Sequence, residues 1–215
     1  MKRREFSMAA GATSLGLLPF GTGAQAQGAS FKAGTDYAVL EKRAPVDAPA
    51  GKVEVVEFFW YSCPHCHAFE PALESWIRKL PANVSFKRVP VQFRTNFQPQ
   101  QQLFYALEAM GKVEEFQRKV FGAIHQQRQN LSTETQIIEW AAANGLDKAK
   151  FTEAFKSFGV ASKVQRAKQL QEAYQVAGVP ALGVAGRWYV DGELAKSMDR
   201  ALLVTDFLIG EARKA

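Results

Sequence analysis

From Val53 to Trp60 the chain reads VEVVEFFW, an unbroken apolar and β-branched run interrupted only by two glutamates. A run this short and this weakly alternating predicts a strand covered on both faces. The period then changes. Phe69, Leu73, Trp76, Ile77 and Leu80 recur at spacings of three and four, which predicts a helix over 68–80. Pro71 is expected to kink that helix, because it removes a backbone donor, and Pro81 to end it. Val84 to Phe93 (VSFKRVPVQF) reads as a second strand, with Pro90 marking an edge position or the strand's end. Strand, helix and strand make a βαβ unit.

Helical patterning dominates the next stretch. Gln98 to Met110 stops at Gly111, and Val113 to Gln127 carries Val113, Phe116, Val120, Phe121 and Ile124 on one face. Thr133-x-x-Gln136 is a capping-box pattern opening a helix that runs to Ala143 and stops at Asn144-Gly145. Helices over 147–158 and 160–176 complete the block. Ala181 to Val184 and Arg187 to Val190 then predict a β-hairpin around Ala185-Gly186, followed by a helix over 199–212. Before the first long strand, 27–49 is polar and irregular apart from Tyr37-Ala38-Val39-Leu40.

This order implies an α/β sheet interrupted by an all-helical insertion. The opening βαβ unit is too small to bury a core alone, and the closing hairpin has strands to add to it. The expected boundaries are 27–97 for the first part of the α/β domain, 98–176 for the insertion and 177–215 for the second part.

The chain has 215 residues, 47% of them hydrophobic and 22% charged, a balance that excludes a disordered tail, a collagen-like fibre or a coiled coil. Met1-Lys2-Arg3-Arg4-Glu5-Phe6 is followed by a mildly apolar stretch to Phe20 and by Ala24-Gln25-Ala26. A charged start, an apolar middle and a small-x-small exit predict a secretory signal over 1–26. Gly11, Gly16, Gly21 and Pro19 argue against a buried helix there. Arg3-Arg4 partly matches the twin-arginine export signature, with Lys2 where Ser or Thr is usual, so the Sec route stays open. Losing Lys2, Arg3, Arg4 and Glu5 lowers the net charge from +6 to +4. The excess is spread out, with no basic stripe carrying interleaved aromatics, so nucleic acid is not an expected partner.

Both cysteines of the chain lie in Cys63-Pro64-His65-Cys66, directly after the buried strand. The spacing places them on one face of a first helical turn, within reach of a short-loop disulfide. A helix N-terminus offers free N–H groups and positive potential, which stabilise a thiolate. Pro64 suits the first helical position, and His65 adds a donor or a positive charge. Cys63, at the helix entrance, is the expected attacking and attacked sulfur, and Cys66 the resolving thiol. If the Cys63 thiolate is well stabilised, the dithiol form is favoured and the disulfide becomes a strong oxidant.

Other readings of the motif stand beside this one. A structural disulfide across so small a loop would constrain almost nothing in the unfolded chain. A zinc site would need more than His65, His67 and the distant His125. Cys63-x-x-Cys66-His67 also matches the c-type haem attachment pattern. The buried strand before the motif and the Pro64-His65 pair inside it favour thiol–disulfide chemistry, with no metal and no cofactor.

Val56-Glu57-Phe58-Phe59, then Cys63-Pro64-His65-Cys66, then Gly178-Val179-Pro180 before an apolar strand, together resemble the DsbA family of periplasmic thiol:disulfide oxidoreductases. The resemblance covers essentially the whole chain after residue 26. It implies a thioredoxin fold with an inserted helical domain, and a cis peptide before Pro180 facing the disulfide. It implies that Val179 pairs its backbone with an incoming peptide. It also implies that Glu57, buried beneath the motif, moves the proton of Cys66. Arg88 is the expected basic neighbour of Glu57, in preference to Lys87, because Arg88 shares strand parity with Val84 and Phe86. The implied partners of this monomer are reduced exported polypeptides and a DsbB-like, quinone-linked membrane oxidase that restores the disulfide. A reductase or isomerase of the same fold, and a non-catalytic peptide-binding protein built on it, are the alternatives. His67, Pro71 and Trp60-Tyr61-Ser62 depart from the best-known family pattern; they are expected to reshape the aromatic surface around Cys63, with Trp60 and Tyr61 as substrate contacts, and they leave substrate preference open.

Overall fold

A computed structural model describes residues 30–214 of the chain; the expected export signal lies outside them. β1 (Ala38–Val39) and β2 (Val53–Phe59) lead into α1 (Pro64–Ile77) and β3 (Val84–Pro90). A 3-10 turn, Thr95–Phe97, opens α2 (Gln98–Ala109), followed by α3 (Val113–His125), α4 (Glu134–Ala143), α5 (Lys148–Lys156) and α6 (Phe158–Ala173). The chain closes with β4 (Ala181–Val184), β5 (Trp188–Asp191) and α7 (Met198–Ala212).

The strands form one five-stranded sheet in the order β1-β5-β4-β2-β3. β2 is parallel to β3 and antiparallel to β4, so the strands before and after the helical block share one set of hydrogen bonds. All seven residues of β2 are buried. One of its faces carries Val53 and Val55 and packs on Phe69 and Leu73 of α1 and on Leu202, Val204 and Leu208 of α7. The other carries Val56 and Phe58 and packs among residues of α2 to α6, including Phe104, Phe121, Phe151, Phe155 and Tyr174. The sheet is a middle layer, and the helical block closes its core on the sheet face that α1 leaves free.

Several elements differ from the sequence reading. β3 ends at Pro90, not Phe93. Pro90 has no N–H for a ladder, and β3 is an edge strand, where such a residue is tolerated. α1 starts at Pro64 and continues as a helix through Pro71. The last helices of the block divide at Ser157, two residues before the expected break at Gly159. Ser157 closes α5, and its side chain accepts the Val160 N–H to cap α6. Phe158 therefore opens α6. Tyr37–Leu40 contributes a two-residue edge strand paired with β5. The second hairpin strand is Trp188–Asp191, after a turn in which Ala185 and Gly186 both have positive φ. The capping box of Thr133 and Gln136 is formed in both directions.

Gly183 in β4 lies under Tyr174, whose hydroxyl accepts the Gly186 N–H at 2.9 Å. A Cβ at Gly183 would stand 2.3 Å from the Tyr174 ring, deep in the core. Gly183→Ala is expected to destabilise the fold by about 2 kcal/mol through overpacking. Urea unfolding would show this as a lower midpoint with an unchanged slope.

Candidate active site

The loop leaving the carboxyl end of β2, Trp60-Tyr61-Ser62, delivers Cys63 to the N-cap of α1. The cap is made by the sulfur itself: Cys63 Sγ accepts the Cys66 backbone N–H at 3.4 Å. Pro64 sits at the head of the helix, where a missing N–H costs nothing. Cys63 retains 7% exposure, whereas Cys66 has none.

The two thiols are displaced in opposite directions. Cys63 is lowered to about 6, first by the Cys66 thiol, which hydrogen-bonds to its sulfur, then by the backbone N–H groups of Cys66 and His65 and by the His65 charge; burial opposes them. His65 is solvent-exposed, so its ring acts from the rim. Cys66 is pushed far up, chiefly by burial and then by its hydrogen bond to Cys63. One sulfur is thus built to carry charge and the other to remain protonated.

Cys63 Sγ also meets the carbonyl of Val179 at 3.4 Å, where its S–H donates. The Val179–Pro180 peptide bond is cis. His65, Val179, Pro180, Asp191, Glu193 and Met198 border a cleft of about 300 Å³ beside this contact.

Beneath the motif, Glu57 is completely buried on β2 and stands directly opposite Arg88 of β3 in the parallel register. Arg88 Nε donates to Glu57 at 2.9 Å, and Arg88 Nη2 donates to Glu70 at 2.5 Å. Burial raises the Glu57 carboxyl to about 8; Arg88 pulls it down, and Glu70 pushes it further up. Burial raises Glu70 as well. The charge of Glu57 in turn raises the Cys66 thiol, so the two groups sense one another. Lys87 points to the other face of the sheet and holds the buried Glu54 at 3.0 Å.

Tyr61 requires a correction. It is fully buried, with its hydroxyl donating to Gln117 at 2.8 Å and its ring edge-on to Phe59. Its side chain therefore offers no surface to a substrate. It anchors the active-site loop to α3 instead. Trp60 is half-buried, and its ring lies flat on Phe97 at 3.8 Å, with Phe93 edge-on beyond.

Sequence reasoning passed over four supports. Glu70 sits one helical turn beyond Cys66, a spacing that places it on the same face, and this was the available signal. Gln100 donates to Ser62 Oγ at 2.7 Å, and His125 Nε2 lies 2.8 Å from the Tyr61 carbonyl. His67 stacks on His125 with ring centres 4.9 Å apart. These contacts tie the active-site loop and α1 to α2 and α3, and no local pattern announces them.

The family of the DSBA-like thioredoxin domain matches residues 84–202, a span that begins after the cysteine motif. Relatives matched over most of the chain include the thiol:disulfide interchange protein DsbA of Burkholderia cepacia, 42% identical over 190 residues, 88% of this chain and 90% of that one. The DsbA of Bordetella pertussis is 43% identical over 207 residues, 96% of this chain and 94% of that one. Among solved structures, Pseudomonas aeruginosa DsbA superposes with a TM-score of 0.81 at 40% identity, covering 86% of this chain and 95% of that one. DsbA from Xylella fastidiosa gives a TM-score of 0.79 at 29% identity, covering 86% and 98%.

The sulfur asymmetry sets a pH signature. A thiol lowered to about 6 in the folded dithiol form contributes stability above the ordinary cysteine range and loses it as pH falls through 6. The disulfide form has no such group. The stability advantage of dithiol over disulfide is expected to be larger at pH 7.5 than at pH 5 by about 2 kcal/mol. Paired denaturation curves of the two forms measure it. Thiolate absorbance should show one transition near pH 6, absent in Cys63→Ser.

Proposed function

The chain belongs to the DsbA family of thiol:disulfide interchange proteins, with a thioredoxin-like fold, and from that premise we propose how its own residues divide the reaction. It is a protein-disulfide oxidoreductase, transferring disulfides to substrate proteins by thiol–disulfide exchange. The observation that carries the assignment of roles is the placement of the two sulfurs: Cys63 Sγ caps α1 and accepts the Cys66 N–H, whereas Cys66 is completely buried, and the two thiols are displaced down and up accordingly.

In the oxidised protein a substrate thiolate attacks Cys63 Sγ. A bond forms between the substrate sulfur and Cys63, the Cys63–Cys66 bond breaks, and the electron pair goes to Cys66. That sulfur is buried and disfavours charge, so it must take a proton as it leaves. Glu57, raised to about 8, holds a proton at neutral pH and is our candidate donor. A second substrate thiolate then attacks its own mixed-disulfide sulfur, and Cys63 departs as a thiolate. Its low pKa makes it a good leaving group. The substrate loses two electrons and closes a disulfide; the protein gains them as a dithiol.

Pro64 keeps the helix entrance free of a competing backbone donor, and His65 lends charge from the rim. The Val179 carbonyl beside Cys63, with Pro180 behind it, supports backbone pairing with an extended substrate strand. Trp60 is the aromatic residue we assign to substrate contact; Tyr61 supports the loop. We read 98–176 as an inserted unit whose task is to brace that loop. Each turnover leaves the dithiol, and restoring the disulfide takes a two-electron oxidant. The partner proposed is a DsbB-like, quinone-linked membrane oxidase, with reduced exported polypeptides as substrates and the periplasm as the compartment, supported by the export pattern of residues 1–26. The enzyme is proposed to work as a monomer, without a metal or cofactor.

Cys63→Ser should abolish oxidation of a reduced protein. Cys66→Ala, preloaded at Cys63 with a polypeptide that carries a single thiol, should hold it stably enough to see on a non-reducing gel; loss of that adduct as fast as the wild-type protein releases the same polypeptide would contradict the assignment. Glu57→Gln is expected to slow Cys66 release at least about tenfold while leaving the Cys63 transition near pH 6 in place. Stopped-flow fluorescence against a small dithiol separates the two effects.

A further inference from the structure

The Val179 carbonyl lies 3.4 Å from Cys63 Sγ, and the cleft of about 300 Å³ opens directly beside that contact. Its apolar surface comes from Val179, Pro180 and Met198, and its polar surface from His65, Asp191 and Glu193. Among the described residues no lysine or arginine lines it. The chain as a whole is basic, with 27 Lys and Arg against 21 Asp and Glu, so the cleft runs against the charge of the molecule that carries it.

The fold places both carboxylates. Asp191 closes β5 and pairs with Ala181, the residue after Pro180, so the sheet itself sets Asp191 beside the reactive contact. Its carboxylate accepts the Tyr189 hydroxyl at 2.9 Å and the backbone N–H groups of Glu193 and Leu194 at 3.0 and 2.9 Å, bonds that fold the turn carrying Glu193 to the cleft. The Glu193 side chain is exposed. Lys196 donates to the Glu193 backbone carbonyl at 3.2 Å, and the carboxylate has no cationic partner among the described residues. Met198 lies against the same turn: a Cβ at Gly192 would stand 3.4 Å from its sulfur. An apolar floor thus meets an acidic rim.

The reaction decides what enters this cleft. A substrate thiolate attacks Cys63 Sγ while its backbone runs along Val179, which brings the side chains flanking the reacting cysteine here. We propose that Glu193, with Asp191 behind it, selects reduced polypeptides carrying a lysine or arginine next to, or one place beyond, the cysteine that attacks Cys63. Such a side chain matches both surfaces: its methylene stem lies on Val179, Pro180 and Met198 while its charged head reaches the carboxylates. An acidic neighbour of the cysteine meets two like charges instead and is disfavoured. His65, on the active-site wall, is the one lining group able to carry positive charge, and two carboxylates outweigh it. The inference rests on the oxidoreductase reading and adds a substrate class to it.

The test uses the full chain in its disulfide form and three reduced dithiol peptides that differ only in the residues flanking both cysteines: Lys, Gln or Glu. Stopped-flow fluorescence gives the rate at which each peptide reduces the protein. Each rate is divided by that peptide's rate with the neutral hydroxyethyl disulfide, which removes the effect of flanking charge on the peptide thiols. The wild-type protein is expected to prefer the Lys peptide over the Glu peptide by about fivefold, with Gln between them. Salt at about 0.5 M should erase the preference. Glu193→Gln should reduce it and Glu193→Lys invert it; the ratio is read on one protein at a time, so a general loss of activity does not imitate the result. Equal corrected rates in the wild type overturn the proposal. So does a preference for the Glu peptide, which the net positive charge alone would produce, or a Lys preference that survives Glu193→Lys intact. Failure of the wild-type disulfide form to oxidise any of the three peptides would instead overturn the oxidoreductase reading itself.

Discussion

Everything in this site follows from the hydrogen bonds that converge on Cys63 Sγ at the head of α1. The Cys66 thiol and backbone N–H both point at it, the His65 N–H adds to them, and the first turn of a helix supplies the positive end of its dipole. Those donors are worth more to a thiolate than to a disulfide sulfur. Each pKa unit by which they lower Cys63 favours the dithiol form by about 1.4 kcal/mol, or about 30 mV of oxidising power, at pH values where the thiolate is populated. The same contacts keep Cys66 protonated, because its S–H is already engaged and its surroundings are dry. One small set of bonds therefore decides which sulfur is attacked, which leaves last, and in which direction electrons run.

The asymmetry creates a proton problem, and the buried carboxylates lie where it arises. Placing Glu57 and Glu70 in a dry interior is expensive, and Arg88 offsets only part of that cost by bridging them. A stability optimum would replace the trio with apolar side chains. Their presence under a sulfur that must be protonated as it leaves fits a site where stability is given up for function. The sheet makes the arrangement possible: β2 and β3 run parallel in a register that sets Glu57 directly opposite Arg88.

The helical block has a similar logic. Cys63 sits on a loop, and a loop alone would not hold a sulfur within hydrogen-bonding distance of three partners. Gln100, Gln117 and His125 reach from α2 and α3 to Ser62, Tyr61 and the Tyr61 carbonyl. The block also seals the second face of β2, so bracing and core formation are done by the same helices.

Local chemistry made much of this legible in one dimension. The apolar run of β2, the capping box at Thr133, the i,i+3 cysteines and the parity that favoured Arg88 over Lys87 each depend on neighbours a few residues apart or on strand alternation, and these survive in sequence. What only the tertiary structure decided involves partners far apart in the chain. Tyr61 reads as an exposed aromatic beside the motif, yet it is core, because Gln117 of α3 waits for its hydroxyl. Spacing puts Glu70 on the face of Cys66, but its part in the site is set by Arg88, which crosses from β3 to meet it. Phe158 has the composition of a core residue and is left in solvent, at the start of a helix that Ser157 opens two residues before the break the pattern suggested. Periodicity reports which side of an element is apolar. It carries no information about what stands on the other side, and the long-range partners determine whether a side chain is buried, charged or free.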